Sequence, residues 1–139
     1  MRRLLGLDVG TVRIGVALSD PLGIAAHPYE VIDRRSVDPV KRIVAIIDAQ
    51  DVERLIVGRP LRLSGEAGPA VAAVEAFVAE LAKAVTLPIE LWDERLSTAQ
   101  AQREMIAGGA RREHRRQSID KIAAALILQS YLDAKSSQL

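Results

Sequence analysis

Residues 5–20, LGLDVGTVRIGVALSD, decide how the fold is read. Two runs rich in Leu, Val and Ile meet at Gly10-Thr11, a pair suited to a tight reversal. They predict one strand from Arg3 to Asp8 and a second from Val12 to Ser19. A second cluster of turn residues, Asp20-Pro21-Leu22-Gly23, leads into a third strand from roughly Ile24 to Ile32. Turns this short join neighbouring antiparallel strands, so the first third of the chain reads as a three-strand meander.

Beyond the meander the period of the apolar residues changes. In DPVKRIVAIIDAQ, residues 38–50, Val40, Ile43, Val44 and Ile47 recur at helical spacing, with Asp38 as N-cap and Pro39 at the first helical position. RLIVG, residues 54–58, predicts a short buried strand. The loop GRPLRLSGEAG follows, and then an Ala- and Val-rich helix running to Ala84. LPIELWDE, residues 87–94, predicts another buried strand. Ser97-Thr98-Ala99-Gln100 fits a capping box, which opens a helix expected to end at Gly108-Gly109. Ser118 is then the expected cap of a last helix whose Ile119, Ile122, Ala123, Leu126 and Ile127 form an apolar stripe. The order β-β-β-α-β-α-β-α-α predicts an α/β protein with a mixed five-stranded sheet and helices on both faces, the order of a ribonuclease-H-like fold.

At 139 residues the chain has the size of one domain, and residues 1–139 are expected to form one that buries about two-thirds of its unfolded surface. Aromatic residues are only 3% of the sequence, so the core must be aliphatic, which suits a sheet covered by helices. The absence of cysteine excludes disulfides, thiolate zinc sites and a cysteine nucleophile, and fits a reducing compartment. The opening MRRLLGLDVG sets basic residues before apolar ones, but Gly6 and Asp8 interrupt the run before it reaches signal-peptide or membrane length. It reads as the first strand of a cytoplasmic protein with no membrane partner. A net charge of +1 excludes a polycation that coats nucleic acid indiscriminately. Positive charge is instead concentrated in ARREHRRQS, where Arg111, Arg112, Arg115 and Arg116 face one acid, Glu113. Taken alone, such a run is a solvated turn.

Three acidic positions could carry chemistry. Asp8 ends an otherwise apolar strand, where a carboxylate adds nothing to packing and needs a partner or a metal; its alternative is a cap for the turn at Val9-Gly10-Thr11. WDERLST places Asp93, Glu94 and Arg95 at the carboxyl end of a strand, where ligands of open α/β sheets collect. Neighbouring strand residues face opposite ways, so only one of Asp93 and Glu94 is expected to point into a given site. Asp120 falls in the predicted first turn of the last helix, where the helix dipole favours any carboxylate. The small residues Ala123, Ala124 and Ala125 would let that helix lie close to the sheet and bring Asp120 to the strand ends. Carboxylates without histidine neighbours suit Mg²⁺ or Mn²⁺. His27 and His114 show no ligand spacing, and Asp20 reads as a turn former.

LGLDVGTVRIGVALSD, VGRPLRLSGEAGP, WDERLST and SIDKIAAALILQSYLD resemble, in order and spacing, the four signature blocks of the YqgF (RuvX) family, and together they span nearly the whole chain. The resemblance implies a ribonuclease-H-like nuclease with two divalent metals clamped by carboxylates. One metal activates water for in-line attack on a phosphodiester, and the other stabilises the departing oxygen. Carried over position by position, it makes Asp8 and Asp120 metal ligands and Glu94 the third, with Asp93 close behind. It also makes Thr11, Arg13 and Arg95 site residues that contact nucleic acid, and phosphate contact becomes the better reading of the arginine run. The loop at Gly58–Gly68 departs from the family pattern, with Arg59 where relatives usually have a neutral residue and Arg62 and Ser64 where polar Asn or Asp is usual.

The family implies processing of the 5′ end of 16S ribosomal RNA, and its fold suggests resolution of four-way DNA junctions. The first is the expectation here, with RNA favoured over DNA and a monomer over a weak homodimer, because paired cuts in a junction need two opposed sites. DVGTVRIGVAL also resembles the first phosphate loop of actin-like and sugar-kinase ATPases, but those enclose nucleotide between two such domains. A non-catalytic nucleic-acid-binding module is the remaining alternative. Acids retained at all three positions argue against it.

Overall fold

The computed structural model describes residues 2–101 and 113–136. Strands β1 (Arg3–Val9), β2 (Arg13–Ser19) and β3 (Ala26–Asp33) form the meander; α1 (Pro39–Gln50), β4 (Val52–Arg59), α2 (Pro69–Ala82) and β5 (Ile89–Asp93) follow. A 3₁₀ turn at Glu94–Leu96 succeeds β5, residues 99–101 are helical, and α3 spans Glu113–Ser136. The sheet order is β3-β2-β1-β4-β5. β1 pairs antiparallel with β2 and parallel with β4, and so lies at the centre of a mixed sheet. This is the predicted arrangement.

Local chemistry sets most of these elements. Asp38 accepts from the N–H groups of Val40 and Lys41 at 3.1 and 3.3 Å, with Pro39 opening α1. Asp20 accepts from the N–H groups of Ile24 and Ala25, both at 3.0 Å, and closes the β2–β3 turn as expected. These backbone donors, that of Ile24 first, hold its carboxyl below the ordinary aspartate range.

The two faces of the sheet differ. α1 and α2 cover one face with Ile43, Ile46, Ile47, Val74, Phe77 and Leu81, packed on Leu5, Leu7, Ile14, Val16, Leu55 and Val57. α3 covers the other with Ala124, Ala125, Leu128, Tyr131 and Leu132, against Ala17 and Ile56. Among the described residues no helix is long and apolar enough to cross a membrane.

Three expectations need correction. α3 begins at Glu113, upstream of Ser118, so Ser118 is an interior helical residue and Asp120 lies in the third turn rather than the first. The segment before Ser118 consists largely of good helix formers, which extend the helix past a serine that resembles a start signal. β5 is a half-buried edge strand rather than a buried one, because only β4 flanks it. The Ser97 hydroxyl does accept from a backbone N–H, that of Ala99 at 3.2 Å, but the Ser97 N–H donates to the Glu94 carbonyl, so the reciprocal Gln100 half of the capping box is not formed. The expected helix end at Gly108-Gly109, along with Arg111 and Arg112, falls outside the described residues. Arg115 and Arg116 belong to the helical backbone of α3.

Candidate active site at the carboxyl edge of the sheet

Asp8 is the last residue but one of β1 and is 8% exposed. Side chains alternate along a strand, so it shares the α3 face with Gly6, and its cross-strand partner Gly15 shares that face too. On the other side, Leu7 is in register with Val57, which sets the following residue, Gly58, beside Asp8. The central acid is therefore flanked by two glycines.

Each glycine admits part of another acid-bearing segment. Glu94, 2% exposed, folds back from the 3₁₀ turn over β4, with Oε2 2.9 Å from the point a Gly58 Cβ would occupy. The α3 backbone at Asp120 rests on Gly15 so closely that a Cβ there would collide with the Asp120 carbonyl. The Asp120 carboxylate reaches Arg13 at the start of β2, with Nε to Oδ2 at 2.9 Å. Asp8, Glu94 and Asp120 thus share one face at one edge of the sheet.

Asp93 takes the opposite course. It pairs across the sheet with Arg59, one step beyond Val57 and Leu91 on the aliphatic face. Arg95 closes on it, with Nη2 to Oδ2 at 2.7 Å and the backbone N–H to Oδ1 at 2.9 Å. The Arg95 guanidinium is the main reason the Asp93 carboxyl sits below the ordinary range; burial opposes the shift, and the charge of Arg59 assists it. Arg95 also lies against Gly65 and donates to the Leu63 carbonyl at 3.5 Å, so it ties the β4–α2 loop to β5. Thr11 occupies the exposed tip of the β1–β2 turn, closed by the Gly10 N–H on the Arg13 carbonyl at 2.9 Å. Arg59 has a buried Nε with no hydrogen-bond partner among the described residues.

The same edge therefore collects two buried carboxylates, a third on a helix, and arginines on both faces. Among the described residues no group of three or more His, Asp or Glu side chains lies close enough to hold a metal ion as it stands, and Asp120 is engaged by Arg13. The donor chemistry nonetheless suits a hard divalent cation, since all three groups offer carboxylate oxygens and no histidine lies among them. The two features missed in the sequence are Gly15 and Gly58. Their signal was glycine inside a strand, which weakens the strand unless another group must approach closely.

A sheet of this order, with helices on both faces and acids at its carboxyl edge, defines the ribonuclease-H-like class. Two solved structures share the fold: RuvC of T. thermophilus in complex with a Holliday junction, with a TM-score of 0.57 at 18% identity, and the yeast mitochondrial Holliday junction resolvase Ydc2, with a TM-score of 0.60 at 14% identity. The alignment covers 98% of this chain and 96% of RuvC, and 97% of this chain and 79% of Ydc2. The sequence pattern of the RuvX family, described as Holliday junction resolvase, matches residues 2–134. Proteins named pre-16S rRNA nuclease from Geobacillus kaustophilus and Desulforudis audaxviator are 49% and 46% identical to it, over 96% and 97% of this chain and 99% and 96% of their own. The chain belongs to the RuvX family.

Proposed function

We propose that this nuclease cleaves RNA with divalent metal, Mg²⁺ or Mn²⁺, and acts on the 5′ end of precursor 16S ribosomal RNA. The observation that supports the reading best is the placement of Asp8 and Glu94. Both are buried acids, on one face, to either side of Gly58, with Asp120 brought in from α3. Asp8, Glu94 and Asp120 would hold the metal, which when bound polarises the phosphoryl oxygens and activates water. Arg13 holds the Asp120 carboxylate and keeps a positive charge at the edge where a phosphate would approach. Asp93 orients Arg95 instead of binding metal, and Arg95 in turn holds the β4–α2 loop for backbone contact. Thr11 and the arginines Arg111, Arg112, Arg115 and Arg116 are assigned to phosphate contacts along the substrate.

The names of the relatives favour RNA, whereas the family's description favours four-way DNA. Every acid of the set comes from one chain, so a monomer working in the cytoplasm suffices for single cuts, while coordinated junction cleavage needs two copies. The deciding experiment offers the protein a structured precursor RNA and a four-way DNA junction side by side, each with Mg²⁺, with Mn²⁺ and with chelator. Faster, metal-dependent cleavage of the RNA is expected. Paired symmetrical cuts in the junction with the RNA untouched would transfer the assignment to resolution, and full activity in chelator would remove the metal.

A further inference from the structure

We propose that Gly58 and Gly15 are positioning residues for the acid set: the side chains they lack, on either side of Asp8, leave the space in which Glu94 and Asp120 stand over the sheet. The inference rests on the metal-nuclease reading and extends it to residues that touch neither metal nor substrate.

Glycine inside a strand needs a reason, since it packs nothing and loses more freedom on folding than any other residue. Backbone conformation does not supply one, because the positive-φ glycines among the described residues are Gly23 and Gly65, both in turns. Space does. A Cβ at Gly58 would stand 2.7 Å from Ile127 Cδ1, 2.9 Å from Glu94 Oε2 and 3.0 Å from Glu94 Cγ. Non-bonded heavy atoms settle at about 3.5–4.0 Å, so Glu94 would have to retreat by roughly 0.5–1 Å. Ligand sets tolerate displacements of only about 0.5 Å. At Gly15 the obstacle is backbone, the carbonyl of Asp120 and the N–H of Lys121, so a methyl group would lift the segment of α3 that carries Asp120.

Gly6 provides the contrast within the same sheet. A Cβ there would meet Leu128 Cβ at 2.8 Å and the Ala124 carbonyl at 3.2 Å, but no acid. Gly6 lets α3 pack closely; Gly58 and Gly15 do so where carboxylates are delivered.

The test is Mn²⁺ binding by calorimetry on the purified full chain, alongside a denaturant melt, for Gly58→Ala, Gly58→Ala/Ile127→Val and Gly6→Ala. Ile127→Val removes the Cδ1 atom that the methyl group introduced by Gly58→Ala would strike, and so relieves the apolar clash while leaving the clash with Glu94. The double variant is expected to regain most of the stability lost by the single one, yet to bind Mn²⁺ about 10–100-fold more weakly than the parent, as when the outer support of a metal ligand is lost. Gly6→Ala is expected to melt earlier and to bind Mn²⁺ as the parent does. Parent-like Mn²⁺ affinity in the double variant, or an equal loss in Gly6→Ala, would leave Gly58 a packing residue and overturn the inference alone. A parent protein that takes up no Mn²⁺ would overturn the metal reading, and the inference with it.

Discussion

The same strands present two different surfaces to their helices. Toward α1 and α2 they show Leu5, Leu7, Ile14, Val16, Leu55 and Val57, while the alternate positions toward α3 are Gly6, Asp8, Gly15, Ala17, Ile56 and Gly58. The first surface is built of large side chains that exclude water, and burial of each contributes about 1.5–3 kcal/mol. The second forgoes much of that contribution and gains proximity. Ala124 of α3 meets Gly6 of the sheet, the helix backbone comes down almost onto the strands, and Asp120 is set over Gly15 of β2, beside Asp8. Stability is thus concentrated on one face and the site on the other. The large buried side chains that hold the helix on the site face are Ile119 and Ile127 near the acids and Leu128, Tyr131 and Leu132 farther along it.

The largest expected effect tests whether chemistry belongs to one face. Asp93 and Glu94 are consecutive acids, but Glu94 is turned to the α3 face and Asp93 to Arg95. Glu94→Gln is expected to lower metal-dependent cleavage by about a hundredfold to a thousandfold, the range for removing one charge-stabilising group, with an unaltered circular dichroism spectrum. Asp93→Asn is expected to retain activity within a few-fold. Initial rates on one RNA substrate decide between them, and an inactive Asp93→Asn beside an active Glu94→Gln would put the site on the aliphatic side.

That pair also marks the boundary of what the sequence reveals. Strand alternation predicted that the two acids face apart but not which faces the site, because the 3₁₀ turn ends the alternation at Glu94. The meander, α1 and its Asp38 cap, and the Asp20 turn were legible because each is fixed by residues a few positions apart. The start of α3 was misplaced for a related reason: a serine before an apolar stripe resembles a cap, and only the helix formers upstream disclose that the helix has already begun. Gly15 beneath Asp120 and Arg13 on its carboxylate involve residues more than a hundred positions apart, and no local pattern encodes them. Proximity to Asp8 gave the glycines their meaning, and that required the sheet order.

Packing should distinguish the faces in a second way. Ile43 is fully buried on the aliphatic side, and Ile43→Ala is expected to cost about 2–5 kcal/mol by opening a cavity. Ala124 is equally buried on the other side, and there the damaging change is enlargement: Ala124→Val is expected to cost about 1–3 kcal/mol by forcing α3 off the sheet. Urea melts of the two variants measure both. An Ala124→Val protein as stable as its parent would mean that α3 does not lie as close to the sheet as the glycines imply.

The smallest expected effect concerns pH and the acid that faces away from the site. The hydrogen-bonded Arg95 guanidinium, acting against the cost of burial, holds the folded-state Asp93 carboxyl below its ordinary range. The stabilisation this brings is fully present above the unfolded value of about 3.9 and is lost as pH falls through the lower folded value, because protonation then costs the folded state more than the unfolded one. Both partners keep solvent contact, with 33% and 23% of the Arg95 and Asp93 side chains exposed, so the pair should contribute only weakly to stability. Asp93→Asn should therefore melt slightly below the parent at pH 7, and the gap should narrow as pH falls below about 3.9. Because the pair also ties the β4–α2 loop to β5, protease cleavage within residues 60–68 should rise over the same interval in the parent while staying constant in the variant. A gap that does not narrow at all as the solution is acidified would mean that the Asp93→Asn substitution removes packing rather than charge, and would make Asp93 a turn residue whose arginine is incidental.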